Sequence, residues 1–143
     1  MARPDTDSLE GAPLADLVLR LSRTLRIEFA HACEPLGLNP HQVRALYVIA
    51  GSDGARLNVL AERLRVAPRS ATDVVDALEA KGLVERTPDP DDRRATLVRL
   101  TPEGATLHEQ AHRIRESVHE QAFSVLSSAE QAELRRLLTT SLG

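Results

Sequence analysis

The chain has 143 residues, 42% hydrophobic and 27% charged, close to ordinary globular usage, so one domain is expected and a disordered or fibrous chain is excluded. Its longest apolar run, Ala45 to Ala50, is far short of the roughly 20 residues a bilayer span requires, and no membrane partner is expected. The formal net charge is −3, and the single cysteine, Cys33, rules out an internal disulfide and a thiolate metal cage.

Residues 1–13 carry three acids and lack the basic and apolar regions of an export signal, so a cytoplasmic location is expected. From Leu14 to Leu36, apolar residues at Leu14, Leu17, Val18, Leu21, Leu25, Phe29, Ala32 and Leu36 keep the three-and-four spacing of an amphipathic helix, which Gly37 ends. Asn39, Pro40 and Gln42 then read as an N-cap, a first-position proline and the third-position partner of a capping box. The helix they start runs through Val43, Leu46, Tyr47 and Ala50 and stops at Gly51-Ser52-Asp53-Gly54.

Two short apolar-periodic runs follow. Leu57, Leu60, Ala61 and Leu64 form the first; Arg65-Val66-Ala67 leads to Pro68, and Ala71, Val74, Val75 and Leu78 form the second, which Gly82 ends. Two helices joined by three residues match a helix-turn-helix, whose second helix can carry polar residues into a DNA major groove. Leu83 to Thr87 and Ala95 to Thr101 are then β-prone, and Pro88 to Asp92 must turn: a hairpin with a charged tip. Thr101-Pro102 starts a helix with the stripe Leu107, Ala111, Ile114, Val118, Ala122 and Val125. Ser127 and Glu130 form a second capping box, for a last helix built on Leu134, Leu137, Leu138 and Leu142.

Charge is uneven along this plan. Residues 1–55 hold 5 bases and 7 acids, residues 56–101 hold 9 and 8, and residues 102–143 hold 4 and 6, so the middle third is the least acidic. Of the 18 bases, 17 are arginine and Lys81 is the exception, which favours planar, bidentate contacts.

Leu60 to Gly104 resembles the winged helix-turn-helix core of the MarR (multiple antibiotic resistance regulator) family. The resemblance rests on Leu60-Ala61, on Leu78-Glu79 with Lys81-Gly82-Leu83-Val84 and Arg86, on the wing signature Asp92-x-Arg94, and on Leu100-Thr101 with Gly104. With the outer helices included it covers nearly the whole chain. It implies a mainly α fold with a small β-wing: a single domain over residues 1–143, in which 38–101 form the winged core and 14–36 and 102–143 the dimerisation helices. The implied function is sequence-specific binding of duplex DNA by a transcriptional regulator, a repressor released by a small-molecule effector.

If Ala71, Val74, Val75 and Leu78 face inward, the opposite face carries Pro68 and the candidate base readers Arg69, Ser70, Thr72, Asp73 and Asp76. The family often has a basic residue where this chain has Asp73. At the wing, Arg93 and Arg94 sit on a loop stiffened by Pro88 and Pro90, with Asp92 expected to orient a guanidinium. By resemblance Arg94 enters the minor groove, and a narrow A·T-rich groove attracts arginine. Arg65 and Arg86 are candidate phosphate contacts, or ordinary exposed arginines.

The apolar stripes outside the winged core call for a partner. A homodimer interleaving these helices is expected, reading a pseudo-palindromic operator with half-sites about 10 base pairs apart; closure into a larger monomeric bundle is the competing arrangement. The resemblance also implies a cleft for a small anionic or aromatic effector, drawing here on Arg23, Ile27, His31, Val43, Tyr47, His108, His112 and Arg115. His108, His112, Arg115 and His119 share one stripe, which reads first as a solvated or interface-edge face, second as an anion site and last as a metal site; no metal and no cofactor are expected. Cys33 lies at the end of the first helix, where a redox switch is not expected. No phosphate loop, nucleophile elbow or zinc-protease motif points to an enzyme. The other readings are a winged helix that binds protein instead of DNA, and a metal- or redox-responsive regulator.

Overall fold

The computed structural model describes residues 9–143. Six α-helices and a three-stranded antiparallel sheet follow in the order α1 (Leu14–Cys33), α2 (Pro40–Ala50), β1 (Ala55–Arg56), α3 (Leu57–Leu64), α4 (Pro68–Ala80), β2 (Val84–Pro88), β3 (Thr96–Leu100), α5 (Pro102–Phe123) and α6 (Ser128–Leu142). The chain divides into two compact units. One is Ala32–Ile114; the other comprises the described part of Met1–His31 together with Arg115–Gly143, so α1 and α5 each contribute to both.

Both capping boxes form. Asn39 accepts from the Gln42 amide at 2.9 Å while Gln42 accepts from the Asn39 amide at 3.1 Å, and Ser127 and Glu130 make the same reciprocal pair. The first helix ends sooner than its periodicity predicts. It is α-helical only to Cys33 and finishes as a 3₁₀ turn over Glu34–Leu36, because Pro35 has no amide to give and disfavours helical Glu34. Gly37 closes that turn at φ 71°, a left-handed conformation that glycine adopts without strain. At the other end, α5 stops at Phe123 and leaves Val125, placed in its stripe by sequence, 79% exposed beyond the helix. Gln131 on α6 reaches back to the carbonyls of Phe123 and Leu126, at 3.0 and 3.1 Å, satisfying groups the ending helix leaves open.

Within Ala32–Ile114, one core joins three helices and the sheet. Val43, Leu46 and Ile49 of α2, Leu60 and Leu64 of α3, Ala71, Val75 and Leu78 of α4, and Val84 and Val98 of the sheet are all buried. Val74, expected among them, is only half-buried at the edge of the stripe. The sheet runs β1-β3-β2, with Val84 opposite Leu100, Arg86 opposite Val98 and Pro88 opposite Thr96. Strand β1 was not expected; its two residues, paired with Val98 and Leu97, are too short to leave a periodic signal. The wing joins α5 at a tight crossing, where a Cβ on Gly104 would lie 1.9 Å from the Leu83 carbonyl oxygen, so only glycine fits. Thr101 fastens the same point by donating to the Gly82 carbonyl at 2.6 Å and accepting from the Gly104 amide at 3.1 Å.

Candidate nucleic-acid interface

The geometry of α4 follows from what its two ends must do. Helix α3 closes at Arg65, which adopts the left-handed conformation (φ 55°, ψ 47°) so that its own amide and that of Val66 reach back to the carbonyls of Glu62 and Ala61 at 3.1 and 3.0 Å. Arg44 on α2 donates to the carbonyls of Arg63 and Leu64, covering the same negative helix end. Ala67 is extended and Pro68 takes the first helical position, which starts α4 at once. At its far end, Lys81 donates to the Gly37 carbonyl at 2.5 Å and to Gln42 at 3.2 Å. Helix α4 is therefore held by its buried face and, at its C-terminal end, by Lys81.

Its outward face is the one expected from sequence. Pro68, Arg69, Ser70, Asp73 and Asp76 are exposed. Thr72 is half-buried and donates its hydroxyl hydrogen to the Pro68 carbonyl at 3.1 Å, so only its lone pairs remain to accept from a base. Arg86 rises from β2 beside this face and pairs with Asp76 at 2.5 Å and with Glu79. Burial pulls the Arg86 guanidinium down, but the hydrogen bond to Asp76 and the charges of Glu79 and Asp76 outweigh it and hold its pKa above the ordinary value. Two of the acids that would repel phosphates are thus partly neutralised, and Asp73 remains the exposed one nearest Arg69 in sequence.

The wing tip is a closed loop. The Asp89 amide donates to the Ala95 carbonyl at 3.0 Å and the Ala95 amide to the Asp92 carbonyl at 2.9 Å. Arg93 and Arg94 are exposed at its end. Asp92 does not orient a guanidinium: its carboxylate accepts the backbone amide of Arg94 at 3.0 Å, an Asx turn that fixes where the Arg94 side chain leaves the loop. Asp89 does the same for Asp91 at 2.9 Å and pairs with Arg56, whose Nε lies 2.7 Å away. Sequence reasoning passed over both residues of that pair. An aspartate between two prolines was the available signal for Asp89; nothing near Arg56 announced it.

The model of the MarR family matches residues 36–95. An HTH-type transcriptional regulator of Mycobacterium tuberculosis (strain CDC 1551 / Oshkosh) is 35% identical over 131 residues, 92% of this chain and 89% of that protein. The chain belongs to the MarR family. A structure of the multiple antibiotic resistance repressor MarR superposes with a TM-score of 0.86 at 30% identity, covering 94% of this chain and 98% of that one. A mutant of MarR from E. coli, complexed with operator DNA, gives 0.71 at 28% identity over 99% and 100%.

As a MarR-family chain it is a helix-turn-helix transcriptional regulator and not an enzyme. The residues assigned by sequence to an effector cleft fall in both units. In Ala32–Ile114, Tyr47 and His108 meet edge to face with ring centroids 4.7 Å apart, and His112 stacks 6.5 Å beyond His108. Val43, assigned to the same cleft, is 1% exposed and belongs to the core of that unit. Arg23, Ile27, His31 and Arg115 belong to the other unit, where Ile27 is 50% exposed. Among the described residues no three His, Cys, Asp or Glu side chains gather as a metal site. Cys33 is fully buried, and burial pushes its thiol pKa up, away from the reactive thiolate. No described helix is long and apolar enough to cross a membrane.

Proposed function

We propose that this MarR-family chain binds duplex DNA sequence-specifically, with α4 in the major groove and the wing in the flanking minor groove. The observation that carries this reading is the pairing, within one compact unit, of an exposed α4 face (Arg69, Ser70, Asp73) with an exposed wing tip (Arg93, Arg94) whose backbone is hydrogen-bonded into one conformation. Arg69 suits a bidentate contact to guanine; Ser70 and Thr72 tolerate several bases; Asp73 accepts from cytosine N4. Arg94 serves the minor groove, and Arg65 a backbone phosphate.

The active species is a homodimer on a pseudo-palindromic operator. Supporting it, Leu14, Leu19 and Leu142 on α1 and α6 are 76%, 65% and 87% exposed. The regulator represses, and a small anionic or aromatic effector held near Tyr47, His108 and His112 releases it.

Selection from random duplexes by the purified protein tests the reading. The bound pool is expected to contain two inverted half-sites about 10 base pairs apart, with affinity falling steeply as salt rises. No enrichment, or binding indifferent to salt, overturns it and favours a protein-binding winged helix.

A further inference from the structure

The wing reaches beyond its own support. Strand β1, which fixes the sheet to the start of α3, pairs with β3 only at Val98 and Leu97, whereas the hairpin continues to Pro88 and Thr96 and then through residues 89–95 to the two arginines at the tip. One contact carries the attachment further out. Asp89, the first residue of the tip, is 4% exposed and lies against Arg56, which is both the last residue of β1 and the N-cap of α3. The same carboxylate accepts the Asp91 amide at 2.9 Å, so one side chain shapes the loop and ties it to the helix-turn-helix.

We infer that Asp89 and Arg56 are positioning residues: their ion pair sets the reach of the wing relative to α4, and so whether Arg93 and Arg94 meet the flank of an operator whose centre α4 reads. The inference rests on the reading of the wing as a DNA-gripping element. Its physical basis is pre-organisation. A hairpin tip free to swing must be ordered when it binds, at a cost in affinity; one already fastened to the reading helix's partner is not. The hydrogen bond from Asp91, with those from Arg56, holds the Asp89 carboxyl below the usual carboxylate range despite its burial, so the pair is charged at neutral pH. Arg56 stays half-exposed, at 42% of its side chain, in the wall of an open groove of about 430 Å³ that Val48, Val59 and Leu97 also line. Its guanidinium can therefore return to water when Asp89 is neutralised, and the domain need not unfold.

The test compares the full chain with Asp89→Asn, Arg56→Gln, Arg56→Lys and the double variant Arg56→Gln/Asp89→Asn. Asparagine keeps an oxygen for the Asp91 amide, but an NH2 donor replaces the oxygen that accepts from Arg56, so the charge and the Arg56 bond are removed together. Operator affinity is expected to fall about tenfold in Asp89→Asn. Hydroxyl-radical protection and base preference should be lost at the flanks and kept at the central positions. The double variant should be no weaker than either single variant, and Arg56→Lys should recover part of the loss. A second measurement needs no DNA: hydrogen exchange at the Asp89, Asp91 and Ala95 amides should quicken in Asp89→Asn while the Ala71 and Val75 amides keep their wild-type rates. Unchanged wing amides overturn the inference, as does an equal loss at centre and flank, which marks a general structural role. If the unaltered protein binds no duplex, the DNA reading fails separately and the exchange rates alone decide the positioning.

Discussion

The two compact units are built on opposite principles. In Ala32–Ile114, Leu46, Leu60 and Leu78 are sealed from solvent; among the described residues of the outer unit the one buried apolar side chain is Val118, while Leu14, Val18, Leu137 and Leu142 stay exposed. Amphipathic stripes run through the helices of both units, more weakly in α5 and α6 than in α3 and α4. The difference teaches that periodicity reports a face to be buried without saying which chain will bury it. The winged unit completes its core from its own residues. The outer helices carry apolar surface that a second copy of the chain would cover, as the proposed homodimer requires.

Core truncation separates the two units most strongly. Leu78→Ala removes a fully buried side chain that fixes α4 and is expected to cost about 2–5 kcal/mol, independent of protein concentration. Leu14→Ala with Leu142→Ala should instead shift the melting temperature by an amount that shrinks on dilution, as both proteins dissociate, because it weakens association rather than the fold. Sedimentation gives the check. A stable monomer at micromolar concentration, with the outer substitutions silent, would leave the exposed leucines without a role and end the comparison as drawn.

A smaller effect divides the two ends of the interface within the winged unit. Arg69→Ala should relax base preference at one position per half-site, by about 1–3 kcal/mol if the contact is bidentate. Arg94→Ala should weaken binding most at A·T-rich flanks and leave that central position unchanged. Binding profiles over single-base operator variants measure both. A profile in which both substitutions act at the same positions would refute the division between helix and wing.

What the sequence disclosed, and what it withheld, follows the range of the interactions. Asn39 with Gln42 and Ser127 with Glu130 were legible because a capping box closes within three residues, and the three-residue link from Leu64 to Pro68 placed α4 before any contact was known. The outward set of Arg69, Ser70, Asp73 and Asp76 followed from the same helical period. The ion pairs did not. Arg86 meets Asp76 and Glu79 because β2 returns beside α4, and Arg56 meets Asp89 across 33 residues; no local pattern encodes either. Asp92 was found but its role differed, since a carboxylate two residues before Arg94 reaches that residue's amide more readily than its guanidinium.

Arg65 sets stability against binding at a single residue. Its left-handed backbone is costly for any side chain with a Cβ, yet glycine also raises the entropy of the unfolded chain, so Arg65→Gly should change stability by no more than about 1 kcal/mol, in the stabilising direction if strain dominates. If Arg65 neutralises a phosphate, the same variant should bind all duplexes more weakly, with a salt slope lower by about 1. Stability and salt titrations read the two terms separately. An unchanged slope would remove Arg65 from the interface while leaving its role at the end of α3 intact.

The least effect is expected in the outer unit, at the start of α6. Glu130 accepts the Ser127 amide at 2.8 Å and the Ser127 hydroxyl at 2.9 Å, and these bonds, the amide first, lower its pKa below the ordinary glutamate value. A carboxyl lowered in the folded state adds stability above its unfolded value and loses it as pH falls through the folded one. Glu130→Gln keeps an oxygen for the capping box but does not titrate. The unaltered protein should therefore lose slightly more of its melting temperature than the variant when taken from neutral pH to below about pH 4. The protein's exposed capping residues make the difference small, and a dimer that buries this end of α6 would enlarge it. Equal losses would show that the box acts through geometry alone, with the charge on Glu130 contributing nothing.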